Sequence, residues 1–291
     1  MKIALHGKEF QEDTAPYIQE VFDILKDRQA TVLVSRQYKE LLKAGGITSD
    51  RVHVYSDEDT IAGTDFFISL GGDGTLLESV THIGRMEIPI LGINIGRLGF
   101  LATTPKTHIQ EAFQALYNNR FTYDYRTLIR LESDRGIFGK RNFGMNEIAI
   151  LKKDTSSMIV VHTYIDGEYL NSYWADGLIV STPTGSTGYS LSCGGPLVLP
   201  QSNNFIITPV SPHNLNARPI VVSDNSIVSF EIEGRSKNFL VSLDSRSQTV
   251  DASIQMAVRK EDFRAKLIKM NGYSFLETLR QKLNWGWDMR N

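Results

Sequence analysis

The sequence predicts an α/β domain with a doubly wound, mostly parallel sheet, followed by an all-β domain arranged as a sandwich. Three observations lead to this fold class. The chain has 291 residues, which suits two domains at ~100–200 residues each. Up to about residue 118, short apolar segments alternate with segments of helical periodicity, as is typical of α/β folds. From about Tyr123 onward, strand-like segments follow one another and are separated by turn residues.

The strands of the first part are predicted from short apolar segments rich in β-branched and aromatic residues. These segments are KIAL (2–5), TVLVS (31–35), RVHVY (51–55), DFFISL (65–70) and IPILGIN (88–94). They run as near-continuous apolar stretches, which favours strands buried on both faces.

Helical periodicity separates these strands. The first helix is predicted from the i, i+3, i+4, i+7 spacing of Ile18, Val21, Phe22 and Leu25. Thr14 could cap this helix, and Pro16 would lie in its first turn. Further helices are expected over residues 39–43, over residues 76–83, and after Pro105, where Ile109, Phe113 and Leu116 share one face.

Two hairpins are predicted in the second part. The pair Asp166-Gly167 lies between alternating segments within residues 164–170, and this dipeptide is a strong signal for a tight turn. Residues 227–243 predict a second hairpin that turns between Glu233 and Asn238. Short strands continue to about residue 269.

The end of the chain predicts a further helix over residues 273–283. Its apolar positions are Phe275, Leu276, Leu279 and Leu283, a stripe that needs another surface to cover it. Trp285 and Trp287, which follow, are interpreted as anchors for this helix.

Composition excludes several classes of protein. The 31 basic and 33 acidic residues nearly balance and form no run of five like charges, which argues against a nucleic-acid partner. No stretch approaches the ~18–20 apolar residues that a membrane crossing requires, and the N-terminus does not resemble a secretory signal. The single cysteine, Cys193, cannot form an intrachain disulfide, which suits a reducing compartment and predicts a cytoplasmic protein.

A glycine cluster follows the fourth predicted strand directly. Gly71, Gly72 and Gly74 surround Asp73, and a helix is expected to begin at Thr75. Glycines let backbone N–H groups approach a ligand closely, and a helix N-terminus favours anions. We therefore assign phosphate binding to Gly71, Gly72, Gly74 and Thr75.

Phosphate binding alone does not explain Asp73, because a carboxylate repels a phosphate group. It suggests phosphoryl transfer, in which Asp73 would accept a proton from the attacking hydroxyl or face a metal ion. The alternative is that Asp73 caps the helix that starts at Thr75, and the two roles can coexist.

A second cluster, ADGLIVSTPTGSTGYSLSCGGP, occupies residues 175–196. A strand over residues 178–181 enters a Pro-Thr-Gly turn, so the segment from Gly185 to Tyr189 could aim amides and hydroxyls at a polar ligand. Taken alone, such a segment is more often only a loop.

Three motifs in order resemble the NAD kinase family of ATP-dependent dinucleotide kinases. They are GGDGTLL (71–77), the Asn146-Glu147 pair in GMNEIAIL, and DGLIVSTPTGSTGYSLSCGGP (176–196). The resemblance covers nearly the whole chain. It implies an α/β nucleotide-binding domain over residues 1–122, a β-sandwich dinucleotide-binding domain over residues 123–270, and a last helix in residues 271–291 that returns to the first domain.

The resemblance implies transfer of the γ-phosphoryl group of ATP to the 2′-hydroxyl of the adenosine ribose of NAD, with Mg²⁺ or a similar ion. It makes Asp73 the general base, or the residue that orients the hydroxyl. The implied NAD-binding residues are Asp73, Gly74, Asn146, Glu147, Asp176, Thr187, Gly188, Tyr189 and Ser192. Glu147 and Asn146 would bind ribose hydroxyls, and Asp176 the nicotinamide end. A homo-oligomer, often a tetramer, is typical of the family.

Two positions depart from the family pattern. Gly188 stands where alanine is commoner, which implies a looser fit. Asp244-Ser245 resembles a later Asp-Gly turn with serine in place of glycine, which weakens the case for a tight positive-φ turn there, and no site residue is assigned to it.

Other functions and sites are weighed against this one. GGDG is shared with lipid and sphingoid-base kinases, although the polar loop over residues 182–192 argues against an acyl-chain pocket. A non-catalytic sensor of NAD(P) is the other alternative. The six histidines show no paired ligand spacing, so no metal-ligating residues are predicted.

Overall fold

The computed structural model describes residues 1–49, 52–56, 59–97, 99–153, 158–235 and 238–285. The chain forms two compact units. The first unit contains Met1–Tyr125 and Ala265–Asn291, and the second contains Arg126–Arg264. The α/β class of the first unit and the all-β class of the second are confirmed.

The first unit is built on a parallel sheet of five strands in the order β5-β4-β1-β2-β3. These strands are β1 (Lys2–Gly7), β2 (Thr31–Ser35), β3 (Val52–Tyr55), β4 (Phe66–Leu70) and β5 (Ile90–Asn94). They correspond to the five predicted strands, within the residues described, and β1, β4 and β5 are almost wholly buried, as strands covered on both faces must be. The short strand β6 (Thr104–Pro105) pairs with β5.

Helices cover both faces of this sheet. They are α1 (Ala15–Asp27), α2 (Arg36–Ala44), α3 (Asp73–Ile83) and α4 (Ile109–Tyr117). One face, with Ile3, Leu5 and Ile68, shares an apolar core with α1, α2 and α4. The other face carries His6 close to His82 of α3, with ring centroids 4.4 Å apart.

Two details of these helices differ from expectation. Thr14 occupies the N-cap position of α1, but its hydroxyl donates to the Gln11 carbonyl and does not cap the helix. Gln11 is the N-cap residue of the 3₁₀ turn over Glu12–Thr14, which precedes α1. The last helix is shorter than predicted and buries only part of its apolar stripe: Leu279 is buried, whereas Leu276 is half exposed. Trp285 is exposed, and Trp287 lies outside the described residues.

The second unit is a sandwich of two antiparallel sheets. One sheet contains, in this order, β11 (Glu168–Ala175), β10 (Ile159–Ile165), β15 (Val228–Gly234) and β18 (Met256–Met270). The other contains, in this order, β14 (Ile220–Ser223), β13 (Asn204–Val210), β12 (Gly177–Ser181), β9 (Glu147–Lys152), β16 (Asn238–Leu243) and β17 (Arg246–Asp251). Apolar side chains from both sheets form one core, which includes Ile150, Val161, Phe205, Phe230 and Val241.

The remaining elements are the strands β7 (Phe121–Ser133) and β8 (Phe143–Gly144) and the helices α5 (Tyr189–Ser192) and α6 (Phe275–Leu283).

One of the two predicted hairpins is confirmed. Asp166 and Gly167 both have positive φ, 52° and 85°, and join β10 to β11 in a two-residue turn. The second prediction is wrong. Residues 227–243 do form two strands, but β15 pairs with β10 and β18, whereas β16 pairs with β9 and β17 in the opposite sheet. Alternation predicts that a segment is a strand; it does not specify the partner strand.

No helix in the described part of the chain combines the length and apolar character that a bilayer crossing requires.

Candidate active site

The glycine cluster forms the turn between β4 and α3. Gly72 is the N-cap residue and α3 begins at Asp73, two residues earlier than predicted. The N–H groups of Gly71 and Thr75 donate to the carbonyls of Ile93 and Gly72. A Cβ at Gly72 or Gly74 would meet no atom within 4 Å, so the backbone of the turn borders open space at the N-terminus of an eleven-residue helix.

Asp73 is held by backbone amides of a later loop. Its Oδ2 accepts a hydrogen bond of 2.7 Å from the N–H of Phe100, and its Oδ1 accepts bonds of 2.9 and 3.0 Å from Leu101 and Ala102. The interpretation of Asp73 as the cap of a helix starting at Thr75 is therefore wrong. An ionised carboxylate offers about four acceptor positions, so about one remains for a ligand hydroxyl.

Gly99 allows this contact. A Cβ at residue 99 would overlap both carboxylate oxygens of Asp73, so only glycine fits the approach of the two segments. Sequence reasoning assigned no role to Gly99. Its role becomes visible once the loop after β5 folds against α3.

In the second unit, the Asn146-Glu147 pair lies where β9 begins, and Asp244 holds its backbone. The Asp244 carboxylate accepts N–H bonds from Met145 (2.8 Å), Asn146 (2.9 Å) and Glu147 (3.1 Å). Asp244 adopts a φ of 52° in the two-residue turn between β16 and β17. The tight turn therefore forms with serine at 245, and Asp244, to which no site role was assigned, positions the backbone of the pair.

The loop after β12 packs against the same pair. The N–H of Thr182 donates to the Asn146 carbonyl (2.8 Å), and its hydroxyl donates to the Met145 carbonyl (2.6 Å). A Cβ at Gly185 would overlap the Asn146 backbone, so this close packing requires glycine. The hydroxyls of Thr182 and Ser186 are buried and bonded within the protein.

The residues of this loop that were expected to bind the ligand are at least partly accessible to solvent. Thr187 is half-buried and donates its hydroxyl to the Thr184 carbonyl (3.3 Å), whereas Tyr189 and Ser192 on α5 are exposed. Cys193 is free, and burial raises the pKa of its thiol, which makes it a poor nucleophile.

Three buried polar atoms near the start of β9 make no hydrogen bond: Asn146 Oδ1, Glu147 Oε2 and Ser181 Oγ. Ser181 is the direct cross-strand partner of Glu147, so their side chains share one face of the sheet. Buried polar groups are almost always satisfied, and an unsatisfied group in a native protein needs an explanation. Glu147 Oε2 and the side chain of Asn146 both border the position that a Cβ on Gly188 would occupy, so a ligand with donors and acceptors at this place would satisfy the unpaired atoms of these two residues.

Glu147 has an unusual ionisation. The pKa of its carboxyl is raised from 4.5 to about 8, mainly by burial and to a smaller extent by repulsion from Asp244. A hydrogen bond from the backbone of Tyr189 acts in the opposite direction and lowers this pKa. Glu147 is therefore mainly protonated at pH 7, and can donate one hydrogen bond while it accepts another. Burial also raises the pKa of the Tyr189 hydroxyl, with further contributions from Cys193, Asp176 and Glu147.

Asp176 lies at the other end of β12 from the Thr182 loop. Its carboxylate forms an ion pair of 2.6 Å with Lys152, at the far end of β9. Glu147 and Lys152 are five residues apart on one strand, a span of about 17 Å at ~3.3 Å per residue. A ligand that reaches from Glu147 to Asp176 would have to be elongated.

Family models match both halves of the chain. The ATP-NAD kinase N-terminal domain matches residues 3–121, and the ATP-NAD kinase C-terminal domain matches residues 145–270. Among curated relatives, the NAD kinase of Cytophaga hutchinsonii is 52% identical over 292 residues, and those of Flavobacterium psychrophilum and Bacteroides fragilis are 45% and 41% identical. Each comparison covers 100% of both chains.

Solved structures show the same relationship. Yeast NADH kinase in complex with NADH has a TM-score of 0.87 at 25% identity, covering 100% of this chain and 89% of that one. An NAD kinase from Archaeoglobus fulgidus in complex with ATP has a TM-score of 0.75 at 25% identity, covering 98% and 99%.

Proposed function

Because this chain belongs to the NAD kinase family and phosphorylates NAD with ATP, we propose a division of roles between its two glycine-containing motifs. The turn over residues 71–75 binds ATP and supplies the catalytic base, whereas the loop after β12, together with residues 146–147, binds the dinucleotide. The single observation that carries the division is the group of unsatisfied polar atoms at Asn146, Glu147 and Ser181. Neighbouring ribose hydroxyls, each both donor and acceptor, suit such a group.

The second unit binds the dinucleotide. A protonated Glu147 donates to one ribose hydroxyl and accepts from another, and Asn146 Oδ1 accepts a further hydrogen bond. The exposed Tyr189 ring offers a surface on which a ribose or base can pack. Thr187, Gly188 and Ser192 line the same loop, and Asp176 accepts from the nicotinamide carboxamide at the far end. The relative that was solved with NADH supports a dinucleotide as the ligand.

The turn over Gly71, Gly72, Gly74 and Thr75 binds the phosphates of ATP. The N-terminus of α3 contributes the partial positive charge of the helix dipole, and the open space beside Gly72 and Gly74 lets phosphate oxygens approach the backbone. Since the N–H groups of Gly71 and Thr75 are bonded within the protein, Gly72, Asp73 and Gly74 supply the amides.

Asp73 acts as general base. Its remaining acceptor position orients the 2′-hydroxyl of the adenosine ribose of NAD, and the carboxylate takes the hydroxyl proton. The hydroxyl oxygen bonds to the γ-phosphorus of ATP as the bond to the β,γ-bridging oxygen breaks, and ADP leaves. A base in this position contributes about 10²–10⁴ in rate.

A divalent ion such as Mg²⁺ would be held mainly by the phosphates of ATP. Mg²⁺ keeps several waters and is commonly bound by substrate phosphates with one or two carboxylates. Most acceptor positions of Asp73 are already occupied, so the phosphates supply most of the ligands. When bound, the ion neutralises charge on the β- and γ-phosphates.

Asp73→Asn tests the catalytic assignment. The purified protein is supplied with ATP, Mg²⁺ and NAD, and NADP is measured with an NADP-specific dehydrogenase. We expect kcat to fall at least about a hundredfold while NAD binding, measured by calorimetry, changes much less. Equal turnover by the two proteins would remove the role of Asp73. Binding of NAD without any NADP formation by the wild type would instead indicate a sensor.

Gly99→Ala is the companion variant. It keeps the carboxylate but forces it away from the amides of residues 100–102, so kcat should fall although the base is present. Asparagine at residue 73 also turns an NH₂ group toward N–H donors, and the thermal midpoints of both variants measure how much of their effect is structural.

We also propose a cytoplasmic homo-oligomer, with a tetramer as the expected form. The single free cysteine fits a reducing compartment. The edge strand β11 exposes Tyr169 (56%) and Trp174 (53%), which offers a second copy an aromatic surface. Light scattering coupled to size-exclusion chromatography measures the mass, and a monomer at all concentrations would contradict the oligomer.

A further inference from the structure

A row of polar side chains crosses the parallel sheet of the first unit near the carboxyl ends of its strands. Ser69 on β4 is in register with His6 on β1, His6 contacts Ser35 on β2, and Ser35 is in register with Tyr55 on β3. All four are buried, on the face that α3 covers. An apolar row would be usual at this depth, so the row needs a reason.

Two side chains of α3 complete a cluster over this row. Glu78 and His82 are four residues apart and share one face of the helix. One ring nitrogen of His6, one of His82 and a carboxylate oxygen of Glu78 all lie within 4.8 Å of one another. We propose that His6, Glu78 and His82 bind a divalent transition-metal ion of the Zn²⁺ class, at a site separate from the phosphate-binding turn.

The strongest indication is the Nε2 atom of His6. The ring is fully buried, and Nε2 makes no hydrogen bond, although Glu78 Oε1 lies 3.5 Å away. The Oγ of Ser69, on the neighbouring strand, is also buried and unsatisfied. A buried ring nitrogen that faces a carboxylate at this distance leaves a place for a cation between them.

The surroundings resemble those of known metal sites. A metal-bound histidine commonly uses its other ring nitrogen in a hydrogen bond that fixes the ring. Here Nδ1 of His6 lies 2.8 Å from Ser35 Oγ, and Nδ1 of His82 lies 2.9 Å from Tyr55 Oη. Both rings are thus oriented by hydroxyls of the same polar row.

The donor set determines the class of metal. Two imidazoles and one carboxylate are a common ligand set for zinc with a fourth, open position, whereas Mg²⁺ prefers oxygen ligands throughout. The carboxylate of Glu78 lies beside the His6 ring and Lys8. Lys8 Nζ lies 3.0 Å from Oε2, which leaves Oε1 for the ion.

A bound ion would link β1, which carries His6, to α3, which carries Glu78 and His82. Glu78 follows Asp73 by five residues, about 7.5 Å along the helix axis at 1.5 Å per residue. An ion at this place would therefore hold the helix whose first turn forms the phosphate-binding turn, and we expect it to raise the thermal midpoint of the protein.

The test uses untagged, chelator-treated full-length protein. Zn²⁺ alone is titrated by calorimetry, and Co²⁺ is titrated by its visible absorption, both with Mg²⁺ in excess. We expect one equivalent per chain, and at least a tenfold loss of affinity in His82→Ala and in Glu78→Gln, since even outer-sphere partners change metal affinity about 10–100-fold. Glu78 and His82 are only partly buried, so both variants should fold.

His162→Ala is the matched control. His162 also has a hydroxyl at Nδ1, Ser172 Oγ at 2.7 Å, and a carboxylate 3.5 Å from Nε2, that of Glu233, but no cluster with a second histidine is found around it among the described residues. This variant should bind the metal as the wild type does. The proposal fails if the wild type shows no saturable Zn²⁺ binding, or if His82→Ala binds Zn²⁺ as tightly as the wild type.

Discussion

Replacing Glu147 by glutamine should change how stability depends on pH. The pKa of Glu147 is about 8 in the folded protein and 4.5 for the free group, because burial and Asp244 disfavour the charged form. Between these values the folded chain retains a proton that the unfolded chain has lost, so the free energy of unfolding falls as pH rises. At ~1.4 kcal/mol per pH unit, the loss by pH 8 is at most about 5 kcal/mol.

Glutamine has nearly the same shape as glutamate and cannot ionise. The free energy of unfolding of Glu147→Gln therefore does not include this decrease with pH. We expect the variant to gain stability relative to the wild type steadily from about pH 5 to about pH 8, and the difference to level off above that range. Urea unfolding midpoints of both proteins, followed by far-UV circular dichroism at each pH, measure the difference.

Glu168→Gln is the matched control, because Glu168 is exposed in the hairpin between β10 and β11 of the same unit. Its pH profile should run parallel to that of the wild type. If the difference between Glu147→Gln and the wild type is the same at pH 5 and pH 8, Glu147 is not held protonated and the reasoning is refuted.

Three further substitutions test the dinucleotide site. Glu147→Ala should weaken NAD binding by about 1–3 kcal/mol, and Glu147→Gln by less, since glutamine keeps a donor and an acceptor; calorimetry measures both. Asp244→Asn should lower the free energy of unfolding by about 1–3 kcal/mol, because an NH₂ group then faces amide donors, and should weaken NAD binding as well. Gly188→Ala should strengthen NAD binding with little change in the unfolding midpoint, because its Cβ, 3.1 Å from Glu147 Oε2, would fill the space that makes the fit looser than with the commoner alanine.

Specific results would contradict these expectations. Unchanged NAD affinity in Glu147→Ala would exclude a contact between this carboxyl and the ligand. An Asp244→Asn protein with normal stability and normal affinity would mean that its three hydrogen bonds do not position the pair. An alanine at 188 that leaves affinity unchanged or lowers it would show that glycine at this position does not loosen the fit.

Local pattern was sufficient for most elements of the first unit. Apolar segments predicted β1 to β5, and the spacing of Ile18, Val21, Phe22 and Leu25 identified the buried face of α1. Such signals depend only on neighbours along the chain. The hairpin predicted over residues 227–243 failed because pairing of β15 and β16 with different sheets depends on distant strands.

The residues of the candidate site also fall into those that local sequence could identify and those that depend on distant parts of the chain. Asp73, Asn146 and Glu147 could be singled out because they lie in motifs whose residue types suggest chemistry. Gly99 and Asp244 could not be given roles, since each acts on a residue more than twenty positions away in the chain. The histidines gave no ligand spacing, yet β1 and α3 bring His6 within reach of Glu78 and His82.

The amino-acid sequence by itself determined the class of each half, the places where strands end in glycine turns, and the carboxylates available for chemistry. Only the tertiary structure decided what surrounds those carboxylates: three amides on Asp73, and a buried neighbourhood that keeps Glu147 protonated. The physical reason is that charge and hydrogen bonding depend on which atoms lie within a few ångströms, and here those atoms come from segments far apart in the chain.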